Sequence, residues 1–425
     1  MASKLLIKNG HVIDPANKRD GKFDILIQGG KIADVQPSIA ANGAKVIDAT
    51  DHIVAPGFVD LHTHLREPGR EDKETVESGS RAAVKGGFTT LCAMPNTNPA
   101  MDQRGIVDFL KREAERVGLV HVEPIGAVTK GRQGKELTDF AELFDAGCIG
   151  LSDDGSPVAD SFLMRRALEY AKMFGRPLIQ HAEDPALFAG GVMHEGVVST
   201  TLGLRGIPSE SESILIARDI ALCELTGGWV HFAHISTAKS VELIRQAKRR
   251  GLRITCEVTP HHLALTHEAI GQFDTCAKVN PPLRAEDDRQ ALIEGLRDGT
   301  IDCIATDHAP HTEWEKEADF DSAPFGISGL ETALAVCVET LVVPNLLTWT
   351  QLIEKLSSAP ARIAGLQAGH LAVGMPADCV LIDPKKRWVV DPKQFISKGK
   401  HSPFAGHTVS SLAVKTFCCG AEVSE

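Results

Sequence analysis

No run of about 18 consecutive apolar residues occurs in the 425-residue chain, which excludes a membrane-spanning helix of ordinary length. The first residues, Met1 to Pro15, lack a long apolar region and a small-residue cleavage site, so no secretory signal is expected. Excess positive charge is also missing. The formal net charge is -11, which gives the chain no electrostatic reason to seek nucleic acid or an anionic membrane surface. An anionic substrate would need locally placed Arg or Lys. None of the ten cysteines stands in CxxC spacing, and Cys418 and Cys419 are neighbours, a poor geometry for a mutual disulfide. The expectation is a reduced, cytoplasmic protein with mostly buried thiols. Repeats, low-complexity stretches and long linkers are absent.

What is present is a chain of 43% hydrophobic residues, enough for one large catalytic domain and a minor one. The N-terminal segment alternates in short apolar runs broken by Asn9-Gly10 and Gly29-Gly30, which are hairpin signals. The tail repeats the style from Asp378 to Ile382, Arg387 to Val390 and Ser411 to Val414. Two strand-rich ends flanking a different middle predict one small β domain built from both termini, residues 1–56 and 362–425. The middle, 57–361, alternates apolar strands with helical patterns. Strands are expected at Phe88 to Ala93, Cys148 to Ser152, Pro177 to Gln180, Trp229 to Ala233, Arg253 to Val258 and Asp302 to Thr306. Helices are expected between them and at Gly329 to Leu341 and Thr348 to Ser357. This succession means a parallel sheet, and over about 300 residues a closed (β/α)8 barrel fits better than two open sheets.

Ligand-type residues fall at the ends of those strands, where a parallel barrel carries its active site. His62 and His64 are two apart and point to the same face of a strand, so they can share an ion. His181, His234 and Asp307 each follow an apolar strand. A lone histidine is usually structural, but several such endings in chain order point to a metal centre. Imidazole and carboxylate are usual donors to zinc and similar ions. His231, three residues before His234, reads as structural. Of the charged segments, His311 to Ala323 reads mainly as a solvated loop able to act as a lid. Thr129 to Glu136 reads as another mobile loop.

These residues resemble the amidohydrolase superfamily, whose fold is a distorted (β/α)8 barrel with metal at the strand ends. The stretches Gly57 to Arg66 and Ala305 to His311 carry the resemblance, which extends over nearly the whole chain and implies that the small domain of both termini is a β-sandwich. Within the superfamily the chain resembles the long bacterial dihydroorotase family. Hydantoinases, allantoinases and the shorter dihydroorotases bridge two metals with a carboxylated lysine. Here the corresponding stretch, Cys148 to Gly155, holds no lysine. The match to the long family falls on Asp154, with Asp153 on the opposite face.

The resemblance implies reversible hydrolysis of dihydroorotate, with closure of N-carbamoyl-L-aspartate as the pyrimidine-synthesis step. It implies one or two Zn2+ ions, with two favoured because six side chains exceed the needs of one tetrahedral ion. His62, His64, Asp154 and Asp307 would hold one, and Asp154, His181 and His234 the other. Asp307 would be catalytic, taking the proton of the attacking water and passing it to the ring nitrogen. Arg66, Asn96 and His311 match contacts to the substrate carboxylate, Asn280 a contact to the ring, and Gly326 a backbone contact. Arg66 has a physical claim of its own, since its planar fork suits a carboxylate. The resemblance further implies a homodimer or larger assembly and allows association with aspartate carbamoyltransferase. The alternatives are a hydantoinase or dihydropyrimidinase activity, or a scaffold subunit for that transferase.

Overall fold

The structure is a computed structural model and describes residues 4–424. Eight strands in chain order form one parallel sheet: β1 (Phe58–Thr63), β2 (Phe88–Ala93), β3 (His121–Gly126), β4 (Gly150–Ser152), β5 (Leu178–Gln180), β6 (Val230–Phe232), β7 (Ile254–Val258) and β8 (Cys303–Ile304). Each pairs in parallel with the next. The ends meet just past β8, where Thr63 bridges to His308 and the His64 N–H donates to the His308 carbonyl at 2.9 Å. This is the expected (β/α)8 barrel.

Adjacent residues of one strand fall into different packed clusters. Leu91 and Cys92, Leu178 and Ile179, and Ile304 and Cys303 divide in this way. That is the two-residue alternation of a sheet buried on both faces. The helices between strands begin where the sequence places caps. Asp160 accepts the Leu163 N–H at 2.7 Å at the start of Ser161–Lys172, and Thr237 accepts the Ser240 N–H at 3.1 Å at the start of Ala238–Arg249. Gly147 ends the helix Phe140–Ala146 with a φ of 111°, a backbone state open to glycine.

Several elements of the barrel escaped the sequence reading, the helix Phe140–Ala146 among them. β3 reads His-Val-Glu-Pro-Ile-Gly, and its Pro124 and Glu123 mask a strand that the barrel nevertheless builds. The helix Val76–Gly86 carries Gly79, Gly86 and two serines, all weak helix formers. The segment expected as one helix from Gly329 to Leu341 is an α-helix at Ala333–Cys337 followed by a π-helical turn at Val338–Val342.

Both termini contribute to a second, eight-stranded sheet. Its central strand Lys4–Asp14 pairs with Arg19–Gln28 on one side and with Lys45–Asp48 and Ile53–Pro56 on the other. Ile53–Pro56 is joined from the C-terminal side by Cys379–Val389, then Thr408–Cys418 and Ala421–Glu422. Ile7, Val12, Ile25, Ile27, Leu381 and Phe417 form its own core. Among the described residues no helix is long and apolar enough to cross a membrane.

Candidate active site

The six ligand-type residues read from the sequence converge at the C-terminal mouth of the barrel. His62 lies in β1 and His64 just beyond it. Asp154 stands two residues past β4, His181 directly after β5, His234 two past β6 and Asp307 three past β8. All six are buried. His234 and Asp307 turn the chain with φ of 31° and 48°, and Arg66 with 62°. Such left-handed residues other than glycine cost on the order of 1–3 kcal/mol each, a strain that concentrates at working sites.

Asp154 faces two ways. Its Oδ2 lies 3.3 Å from His62 Nε2 and 3.5 Å from His64 Nε2. Its Oδ1 lies 3.6 Å from His181 Nδ1 and 3.4 Å from His234 Nε2. Asp307 Oδ1 completes the first set at 3.4 Å from His62 and 3.1 Å from His64. Asp153 points elsewhere, as the strand geometry predicts, and accepts the Thr129 N–H at 3.0 Å. The loop at Thr129 is pinned rather than loose: Arg132 donates to the Asp153 and Asp154 carbonyls at 3.2 and 2.5 Å.

The groups His62–His64–Asp307 and His62–Asp154–His234 each place their donor atoms within 4.8 Å of one another and can hold a metal ion. The donor chemistry fits. His62 Nε2 and Asp154 Oδ1 are fully buried without a hydrogen-bond partner, an expensive state unless something cationic occupies the space. Charge points the same way. Burial alone would raise Asp154 and Asp307, but the neighbouring imidazoles, His62 foremost, hold both below the usual carboxylate range. Burial alone would lower His62 and His181, yet Asp154 and Asp307 push His62 well up, and Asp154 with Glu183 raises His181 to about 10. The cluster demands positive charge, which protons or a cation can supply.

Residues behind the cluster orient it, and several were missed in the sequence. Glu257 Oε1 lies 2.8 Å from His62 Nδ1, and its Oε2 3.1 Å from His231 Nε2. Burial opposes the charge on Glu257, but these two imidazoles bring it down to about 2. His231 therefore stands outside the cluster and acts on it through Glu257. Asp60 ties β1 to the Asp307 segment, accepting the Thr306 N–H at 3.0 Å and hydroxyl at 2.5 Å. Burial raises Asp60 to about 6 against those bonds. The only sequence signal for either acid was a charge inside an apolar strand.

The five expected substrate contacts line one cavity of about 330 Å³ together with His64, Asp154, His181, His234 and Asp307. Asn96 Oδ1 lies 2.8 Å from His64 Nδ1, which leaves the Asn96 amide N–H groups for the cavity. Arg66 donates from Nε to the Pro310 carbonyl at 3.3 Å and lies 3.5 Å from His311 Nε2. Among the described residues no carboxylate lies within ion-pair distance of Arg66. Burial lowers its pKa to about 10, so it stays charged at neutral pH. His311 is held well below its usual value by burial and by Arg66 and Lys73, and is neutral. Asn280 donates to Glu183 at 3.0 Å and leaves its Oδ1 unpartnered. The Gly326 N–H is taken by the Lys278 carbonyl at 3.0 Å, so only its own carbonyl remains free. A Cβ at Gly326 would meet the Ala309 carbonyl oxygen at 2.4 Å. The segment following His311 is anchored, with Lys73 paired to Glu315 at 2.7 Å and Lys316 donating to the Thr275 and Pro324 carbonyls, each at 2.9 Å.

Known proteins match this architecture. Among solved structures, the L-hydantoinase (dihydropyrimidinase) from Arthrobacter aurescens superposes with a TM-score of 0.90 at 27% identity, covering 100% of this chain and 96% of that one. The D-hydantoinase (dihydropyrimidinase) from Thermus sp. follows with a TM-score of 0.85 at 26% identity, over 99% and 95%. The sequence profile of the family described as Dihydro-orotase-like matches residues 51–240. The dihydroorotase of Anaeromyxobacter dehalogenans (strain 2CP-C) is 51% identical over 100% of this chain and 99% of its own length. That of Pelotomaculum thermopropionicum is 50% identical over 99% of both. Identity at half of all positions along essentially the full length of both chains is decisive, and the chain belongs to the dihydroorotase family.

Proposed function

We propose that the chain is a metal-dependent dihydroorotase, opening dihydroorotate to N-carbamoyl-L-aspartate and closing it again in pyrimidine synthesis. The observation that carries this reading is a charged Arg66 without a carboxylate partner, on the wall of the same cavity as the histidine–aspartate cluster. A cavity of that kind suits a small cyclic amide bearing a carboxylate.

Zn2+ suits these nitrogen and oxygen donors. One ion would sit among His62, His64, Asp154 and Asp307, and a second among Asp154, His181 and His234. The opposed oxygens of Asp154 favour two. Such ions, when bound, supply Lewis acidity toward the amide carbonyl and make water more acidic. Asp307 turns Oδ1 to the histidines and leaves Oδ2 to take a proton from the attacking water. The same atom delivers it to the departing ring nitrogen. Ring closure runs these steps in reverse, with Asp307 protonating the departing oxygen.

Arg66 binds the substrate carboxylate through its planar fork, with the Asn96 amide and His311 beside it. Asn280 faces the ring, and the Gly326 carbonyl is an acceptor for a ring N–H. The absence of lysine between Cys148 and Gly155 speaks against a hydantoinase whose metals are bridged by that residue. Assembly as a cytoplasmic homodimer, with or without aspartate carbamoyltransferase, follows from the family resemblance and is testable by sedimentation.

The test is a paired assay of ring opening and ring closure, with hydantoin as competitor substrate, before and after chelation. Turnover of dihydroorotate that is lost on chelation and restored by Zn2+ is the expected result. Activity surviving complete metal removal would refute the metal dependence, and preferential turnover of hydantoin would refute the substrate.

A further inference from the structure

The opposite end of the barrel carries a second group of metal-type donors that the proposed reaction does not use. His121 opens β3 at the N-terminal face. Asp378 immediately precedes the strand Cys379–Val389, and Cys418 closes the strand Thr408–Cys418, with Cys419 in the turn that follows. His121 Nε2 lies 3.0 Å from Asp378 Oδ2, 3.6 Å from Cys418 Sγ and 3.9 Å from Cys419 Sγ. The four donor atoms all lie within 4.8 Å of one another.

Those separations match a known shape. Ordinary zinc bond lengths and a tetrahedral angle put N···O at roughly 3.3 Å and N···S at roughly 3.6 Å, close to the three separations from His121. The group is also supported. Asp378 accepts the Cys419 N–H on Oδ1 at 2.7 Å, which turns Oδ2 toward His121. Asp378 and Cys418 are buried, while His121 is half-buried and Cys419 exposed, so a path to solvent exists. The backbone at Cys419 adds a further sign. It has a φ of 47° in a tight turn completed by Gly420, a place that favours asparagine, aspartate or glycine over cysteine.

We propose that His121, Asp378, Cys418 and Cys419 form a structural site for a thiophilic divalent cation of the zinc class, clipping the terminal sheet to the base of the barrel. Two thiolates, an imidazole and a carboxylate fill four positions and leave none open, which separates this site from a catalytic one. Its ligands come from the barrel and the terminal sheet, so the ion would cross-link the two. Binding releases the two thiol protons to solvent. Burial and the Asp378 carboxylate push both thiols up in the free protein, so the cation is needed to keep them as thiolates.

The site can be tested apart from the mouth of the barrel, because none of the six residues there is a thiol. The full chain, freed of metal and reloaded with Co2+, is expected to show a thiolate-to-cobalt charge-transfer band. That band should fall to about half in Cys419→Ser and vanish in the Cys418→Ser/Cys419→Ser double variant, while total metal falls by one ion per chain. Cys419→Ser changes an exposed residue and keeps the test open if the double variant fails to fold. No charge-transfer band at saturating Co2+ would overturn the proposal. So would a band of full strength in Cys419→Ser, or one surviving in the double variant, which would point instead to His231, Glu257 and Cys303 inside the barrel.

Discussion

The two ends of the barrel gather metal-type side chains in different ways. At the mouth the donors come from the ends of five strands, and a second row fixes them: Glu257 holds His62, Asn96 holds His64, and Asp60 holds the Asp307 segment. At the base the donors come from a barrel strand and two segments of the terminal sheet, with one backbone bond to orient Asp378. The mouth is arranged before anything binds, as a reaction site must be. The base is assembled from parts that touch only because the two sheets are docked. Substitutions at the mouth should therefore spoil turnover with the fold intact, and substitutions at the base should do the reverse.

The largest expected effect tests the mouth directly. Asp154→Ala removes the carboxylate shared by both histidine pairs, so metal content measured by elemental analysis should drop and turnover fall below detection. Asp307→Asn should retain metal but lower kcat by about 10²–10⁴-fold, the usual worth of a proton-transfer group. Metal loss comparable to that of Asp154→Ala would instead make Asp307 chiefly a ligand.

The second row comes next. Glu257→Gln should weaken metal affinity by about 10–100-fold, read by competition with a chelator, because His62 loses its carboxylate partner. Arg66→Lys keeps the charge and loses the fork. It should lower kcat/KM for dihydroorotate by about 10–100-fold, through KM, the worth of a hydrogen bond to a charged group. A neutral cyclic amide should show no such loss. The smallest effect is at the base: Cys419→Ser should leave kcat/KM unchanged, because none of the donors there lines the reaction cavity. A large loss of turnover there would erase the distinction between the two ends.

Much of the mouth was legible because its chemistry is punctuated by position. His62 and His64 share a strand face, and His181, His234 and Asp307 each follow an apolar run. Asp154 required the family resemblance, since spacing alone left it beside Asp153. Glu257 and Asp60 were not legible: a buried acid in a strand has no sequence mark until its partner is known, and Glu257 meets a histidine 195 positions away. β3 was hidden by Pro124, which propensity counts against a strand but the sheet tolerates. The base escaped for the same reason as Glu257. Cys418 and Cys419 stood out only as an improbable disulfide, and their partner His121 lies in the strand that the pattern concealed.

The strand Ile53–Pro56 has one consequence for how the chain is made. One edge joins Lys4–Asp14 early, but the other waits for Cys379–Val389. At about 5–20 residues per second, that partner leaves the ribosome roughly 15–65 s later. Through that interval the nascent sheet presents an open hydrogen-bonding edge to its surroundings, the kind that invites pairing with a neighbouring chain. That edge is covered when Cys379–Val389 docks, and the outer strands Lys31–Gln36 and Ala421–Glu422 then become the edges of the finished sheet.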